Sequence, residues 1–190
     1  MFHAYPTDTW LGTQERTFPQ SISADEFKAL FRGHPGGVAV ITADAGEGPV
    51  ALTVSSVVSV SADPPLLIFS VSALSSASKV LSRAETVVVH LLDAHDVRLA
   101  KFGATPGANR FDQTHRWSVL PTGEAVYDDV RAWVRCAVIN RMEVGTSTII
   151  AVHALESRVM RDIEAGEPGD DLVYHNRSWH RLGEHSKLEG

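Results

Sequence analysis

Short apolar runs dense in β-branched residues recur along most of this chain, each cut off by glycine, proline or small polar residues. Val38-Ala39-Val40-Ile41-Thr42 is one such run, and Gly46-Glu47-Gly48-Pro49 behind it reads as a turn. Val50 to Val60 predicts a second strand, unusually rich in Ser and Thr, which Asp63-Pro64-Pro65 breaks. Leu66 to Val71 predicts a third, and its unbroken apolar character implies burial on both faces. Thr86 to Leu92 is a fourth, dense in β-branched residues. Val134 to Ile139, Met142 to Val144, Thr148 to Leu155 and Leu172 to Tyr174 are the strand candidates of the last third.

Helical patterns are few and short. Ser23-Ala24-Asp25-Glu26 has the spacing of a capping box, and Phe27, Leu30 and Phe31 follow at i, i+3, i+4. Gly33, Pro35, Gly36 and Gly37 end that helix. Ser75 to Arg83 reads as a short helix capped by Ser75 or Ser76. Asp93 to Phe102 reads as another, capped by Asp93 and closed by Gly103. Residues 104–118 form a long irregular loop, a length that often carries function. Without a regular strand–helix–strand alternation, the fold class is mainly β, a closed barrel or sandwich with helices at its ends.

The 190 residues suit one domain with tails. Residues 1–22 read as an N-terminal arm, 23–183 as the domain and 184–190 as a C-terminal tail whose end resembles a cloning remnant. A net charge of -6 argues against a nucleic-acid partner, which needs a basic surface. No window approaches the roughly 18 apolar residues of a membrane helix. The single Cys136 lies in an apolar strand and reads as a buried core thiol, and the lack of disulfides fits a cytoplasmic location.

Four segments have residue types suited to chemistry. Thr53-Val54-Ser55-Ser56 alternates hydroxyls with apolar residues, so a strand there either lines a polar ligand or simply has one wet face. Ser75-Ser76-Ala77-Ser78-Lys79 opens a predicted helix with hydroxyls and an ammonium, which suits a phosphate or plain N-capping. Arg110 beside Phe111 suits a clamp on a phosphate or a ring, and pairing with Asp112 is the other reading. Among the nine histidines, His90 in its apolar strand reads as a core residue. His175 and His180 flank Asn176-Arg177-Ser178-Trp179, but no metal-ligand spacing appears and no metal site is expected. Gly-x-Gly-x-x-Gly after a strand, a Walker motif and Gly-x-Ser-x-Gly are all missing.

The order of these motifs resembles the flavin reductase-like family, whose members have the FMN-binding split β-barrel, a Greek-key barrel with short flanking helices. The resemblance runs through Phe31-Arg32, Pro35-Gly36-Gly37-Val38, Thr53-Val54-Ser55-Ser56, Asp63-Pro64-Pro65, Ser76 to Lys79, Val89-His90-Leu91-Leu92, Leu99 to Phe102, Arg110-Phe111, Leu172 to His175 and Trp179. It covers residues 24 to 182. It implies hydride transfer from NADH or NADPH to FMN or FAD, with reduced flavin passed to a partner monooxygenase, and a homodimer with flavin near the interface. It implies that Thr53, Val54, Ser55 and Ser56 run along the isoalloxazine and that Ser76, Ser78 and Lys79 hold the ribityl phosphate. Arg110 and Phe111 would close over the phosphate side.

One motif departs. Family reductases carry Gly-Asp-His where this chain has Gly145-Thr146-Ser147, so Ser147 stands at the position of a His that borders the nicotinamide. His153 and His175 are the candidates to replace it. The departure keeps a second reading open, a flavin carrier or redox-complex component with little reductase activity. A flavin-free barrel used for dimerisation is the third.

Overall fold

The computed structural model describes residues 21–112, 114–164 and 169–188. Most of the arm, residue 113, residues 165–168 and the last two of the tail lie outside the described residues. In chain order the elements are α1 (Ala24–Arg32), β1 (Gly36–Gly37), β2 (Ala39–Ala43), β3 (Val50–Val54), β4 (Val58–Ala62), β5 (Pro65–Ser72), α2 (Ser78–Leu81), β6 (Thr86–Leu91), α3 (Val97–Ala104), β7 (Trp117–Val119), β8 (Ala125–Tyr127), β9 (Ala132–Val144), β10 (Ser147–Val159), β11 (Leu172–His175) and β12 (Ser178–Arg181).

Seven strands form one antiparallel sheet in the order β3-β2-β6-β9-β10-β5-β4. Its two end strands, β3 and β4, are consecutive in the chain, so Ser55-Ser56-Val57 must bridge the sheet's edges and close a barrel. The single strand expected over Val50 to Val60 is therefore two strands. The reason is Ser56: its hydroxyl accepts from Ser70 N (3.0 Å) and donates to Ser70 O (3.3 Å), so a side chain stands in for a ladder at the seam. The sheet with its end strands joined by this short link is the barrel expected from the sequence, and the Ser56 hydroxyl continues the β4–β5 pairing past Val58.

Core residues fill both sides of part of this wall. Ile41, Phe69, Val87, Val89, Ile150 and Val152 pack inside the barrel. Val40, Val88, Leu99, Val126, Tyr127 and Trp133 form a second cluster outside it, beneath α3 and the β7–β8 hairpin. Each fully buried aliphatic here contributes about 1.5–3 kcal/mol. Two-faced burial thus belongs to β2 and β6. In β5 only Phe69 and Val71 are buried, and Leu66 and Ile68 are partly open, against the expectation for that run.

The helices depart from expectation in instructive ways. α1 forms with its capping box, Ser23 Oγ accepting from Glu26 N, but Phe27, Leu30 and Phe31 stay exposed. Its stop sequence is partly a strand, since Gly36 and Gly37 pair with Tyr174 and Val173. The helix expected over Ser75 to Arg83 shrinks to α2, because Ser75 and Ser78 bond locally to Ala77 N and Ala73 O. The one expected over Asp93 to Phe102 is a 3-10 turn, Ala94–Asp96, followed by α3. Asp93 caps it as expected, but Gly103 lies inside α3 rather than at its end. β9 runs unbroken through Asn140 where two strands were expected. The expected loop over 104–118 starts after Ala104 and ends at β7; the hairpin of β7 and β8 and the strand β12 were not expected.

Candidate functional site

β3 ends where α3 lies directly against it. Thr53 Oγ1 donates to Ala100 O (2.8 Å), and a Cβ on Gly103 would sit 2.3 Å from that hydroxyl. Glycine is therefore required at 103 by close approach. Val54 points into the barrel core. Ser55 is exposed, and its carbonyl lies so near β1 that a Cβ on Gly36 would come within 2.9 Å of it. Among the described residues, the hydroxyls of Thr53 and Ser56 are engaged by the protein, and Ser55 Oγ makes no hydrogen bond.

β5 leads from this corner to the second segment. Ser56 meets β5 at Ser70, and the strand ends at Ser72. Ala73 N then donates to Thr146 O (2.9 Å) and Ser78 N to Ser75 O (3.1 Å), which shapes a tight loop. Ala77, Val80 and Leu81 bury its underside. Ser75 and Ser78 spend their hydroxyls on this loop. Ser76 and Lys79 are exposed, and neither side chain bonds to another described residue.

Arg110 does not pair with Asp112. It donates to Gly103 O (3.1 Å), Thr105 O (2.9 Å) and Ala108 O (3.4 Å), closing the carbonyl end of α3, while Asp112 accepts from Thr114 N. Phe111 stacks on Tyr127 at 5.7 Å and meets Trp117 edge-on at 5.2 Å. Tyr127 donates its hydroxyl proton to Arg110 O, and burial pushes that phenol above its ordinary range, so it stays neutral. Arg110 thus reaches Thr53 through Gly103, the residue both of them touch.

Ser147 opens β10 opposite Ser72, two residues from the Ser70–Ile149 pair that adjoins Ser56. His153 pairs with Leu66 six residues along the same strand, about 20 Å away at the usual rise. His175 follows Tyr174, which pairs with Gly36, the glycine packed against Ser55. Of the two histidine candidates, the topology brings His175 to the Ser55 corner. Its hairpin turns through Asn176 and Arg177 at positive φ (47° and 61°), and Asn176 N donates to Arg32 O at 3.0 Å.

His90 is the core residue the sequence suggests. Nδ1–H donates to Val40 O (2.9 Å) and Nε2 accepts from Tyr127 N (3.1 Å), which fixes the neutral tautomer. Burial pushes its pKa down to about 4. Cys136 is buried as expected, and burial raises its thiol to about 12, so it is not a nucleophile near neutral pH. Two cavities lie away from the serine segments. One of about 390 Å³ surrounds Arg161, which is paired to Asp93 and Asp96, and one of about 280 Å³ lies between Arg98, His115 and Tyr127. In the serine segments, Ser55, Ser76 and Lys79 are exposed in the single chain. Sequence reasoning missed Gly36 and Gly103 as contact residues because a glycine after helical residues reads as a stop signal.

The profile of the flavin reductase like domain matches residues 31–183. An NADH:FMN oxidoreductase of Rhodococcus qingshengii is 37% identical over 160 residues, covering 84% of this chain and 82% of that protein. The crystal structure of a flavin reductase domain protein from Arthrobacter sp. superposes with a TM-score of 0.74 at 30% identity, covering 83% of this chain and 94% of that one. The flavin reductase component of a bacterial two-component tryptophan halogenase shares the fold, with a TM-score of 0.73 at 24% identity over 85% of this chain and 99% of that one. A family match over this span, on a split barrel with the same ordered segments, places the chain in the flavin reductase-like domain family.

Proposed function

We propose that this chain is an NAD(P)H-dependent flavin reductase that moves a hydride from NADH or NADPH to FMN or FAD. The observation that carries this reading is the run of β5 between a corner with an exposed Ser55 and a loop whose Ser76 and Lys79 side chains bond to no other described residue. When bound, the nicotinamide supplies the hydride and the flavin accepts it. The protein's part is binding, orientation and exclusion of water. Ser55 Oγ and the main chain of residues 55–57 meet the polar edge of the ring. Ser76 Oγ and Lys79 Nζ hold the phosphate, and Ser78 shapes their loop. Thr53 and Arg110 act on opposite sides of Gly103 to set the wall, with Phe111 locking the loop behind it. His175 borders the donor side at the Ser55 corner.

A homodimer would complete this open surface. The outer face of β5, β9 and β10 carries Ile68, Ala151, Ile149 and Met142 in register, with Val58 beside Ile68. Directly opposed residues share a face, so these lie together with Ser70 and Asn140, the partners of Ile149 and Ala151, on a mixed surface. A second copy over it would supply the two-faced burial that the sequence of Leu66 to Val71 implies. Delivery of reduced flavin to an oxygenase partner is supported by the halogenase component of the same fold. No helix of the described residues is long and apolar enough to cross a membrane. A cytoplasmic location is favoured by the lone reduced Cys136.

Purified protein with FMN or FAD is expected to oxidise NADH or NADPH well above the free-flavin rate. No acceleration with either donor contradicts the proposal. Ser147 at the family histidine position favours one second reading, a flavin carrier, which predicts retained flavin that neither nicotinamide bleaches.

A further inference from the structure

Five carbonyls in and just after α2 have donors. Ser78 O accepts from Ser82 N, and Val80 O accepts from Arg83 N and Ala84 N. Lys79 O accepts from Ser82 Oγ (2.8 Å) and Arg83 Nε (3.1 Å). The last two are taken by one residue from across the barrel: Arg141 donates from Nε to Leu81 O (3.1 Å) and from Nη2 to Ala84 O. Arg141 stands on β9 opposite Ile150 of β10 and has no carboxylate partner among the described residues.

A four-residue helix cannot hold itself together, because nucleation costs more than its few bonds return. α2 is held instead by the burial of Ala77, Val80 and Leu81 and by this guanidinium. The planar fork makes two bonds in fixed geometry, and its charge meets the negative, carbonyl end of the turn. We infer that Arg141 is a positioning residue for the flavin phosphate, fixing the loop that presents Ser76 and Lys79. This rests on the proposal that those two side chains hold the phosphate. Without Arg141, Leu81 O and Ala84 O lose their donors, and the ammonium of Lys79 loses its fixed place.

FMN and riboflavin differ only in the phosphate, which separates positioning from general stability. Dissociation constants for both flavins are measured by fluorescence quenching on the full chain and its R141Q, R141K and K79M variants. R141Q is expected to weaken FMN about tenfold, the value of roughly one charge-assisted hydrogen bond, with riboflavin changed by less than about twofold. R141K is expected to fall between R141Q and the parent. Equal weakening of both flavins, or no change in either, overturns the inference. If R141Q does not fold, R141K decides: a reduced preference for FMN supports it, and an unchanged preference overturns it. K79M separates the two layers. If it keeps the parent's preference, the phosphate proposal fails and the inference falls with it; if it loses the preference while R141Q keeps it, the inference alone fails.

Discussion

Thr53–Ser56 and Ser75–Lys79 are both rich in hydroxyls, and the fold treats them in opposite ways. At the first, Thr53 is bonded to α3 and Ser56 to Ser70, and Gly103 and Gly36 allow neighbours to approach within a Cβ's width. At the second, Ser75 and Ser78 are used up in shaping a loop that presents Ser76 and Lys79 to solvent. The first is a rigid wall and the second an open cradle. A planar ring gains from a wall whose dipoles are already fixed. A charged, mobile phosphate gains from donors that have no competing partner.

The largest expected effect falls on the scaffold behind the wall. The unfolded chain protonates His90 near pH 6.5 and the folded one only near 4, so the neutral ring's stabilisation is full above 6.5 and lost as pH falls across that window. The difference amounts to about 3 kcal/mol. Melting temperature should therefore decline from pH 6.5 to 4, with a shallower decline in His90→Gln. An identical slope in the variant would remove His90 from the account.

The wall itself breaks next. Gly103→Ala should cost about 2 kcal/mol, because its Cβ displaces the Thr53 hydroxyl. Thr53→Ala alone should cost about 1 kcal/mol for the lost bond to Ala100. The double variant should be more stable than the sum of the two, as expected for a pair in contact. Strict additivity in denaturant melts would show that they do not touch.

His175→Ala sharpens the other edge of the corner. It should lower kcat/KM for the nicotinamide about tenfold while leaving the FMN dissociation constant alone, as loss of one charge-assisted contact would. A change confined to FMN binding would move His175 from the donor side to the flavin. The smallest effect is expected at the seam. Ser56→Ala loses both bonds to Ser70 and should cost about 1 kcal/mol. Hydrogen exchange at Ser70 N should rise with it, and unchanged protection there would mean that the seam is held elsewhere.

The contrast also explains what could be read in the chain beforehand. Val87-Val88-Val89 announces a strand because its preference is local and its burial two-sided. The Ser23–Glu26 capping box is likewise local, and α1 forms as its spacing predicts. The break at Ser56 is hidden because its residues favour continuing the strand, and only a partner fourteen residues away turns the hydroxyl into a seam. The β7–β8 hairpin is hidden for the same reason: its three-residue strands depend on Tyr127 meeting His90 across the fold. At the site, the types of residue were legible and their division of labour was not. Sequence puts Thr53, Ser56 and Ser78 on a par with Ser55, Ser76 and Lys79, and only their hydrogen bonds separate those that build the surface from those left open to solvent.

A reductase must turn over flavin that it does not keep, which a carrier cannot do. The direct measurement mixes a small amount of protein with an excess of FMN and NADH in the absence of oxygen and follows the visible flavin band. A wall and cradle working as proposed will bleach the whole pool of FMN, at a rate proportional to protein and saturable in both ligands. Bleaching that stops at one flavin per chain, or that runs no faster than without protein, for NADPH as well as NADH, would contradict it.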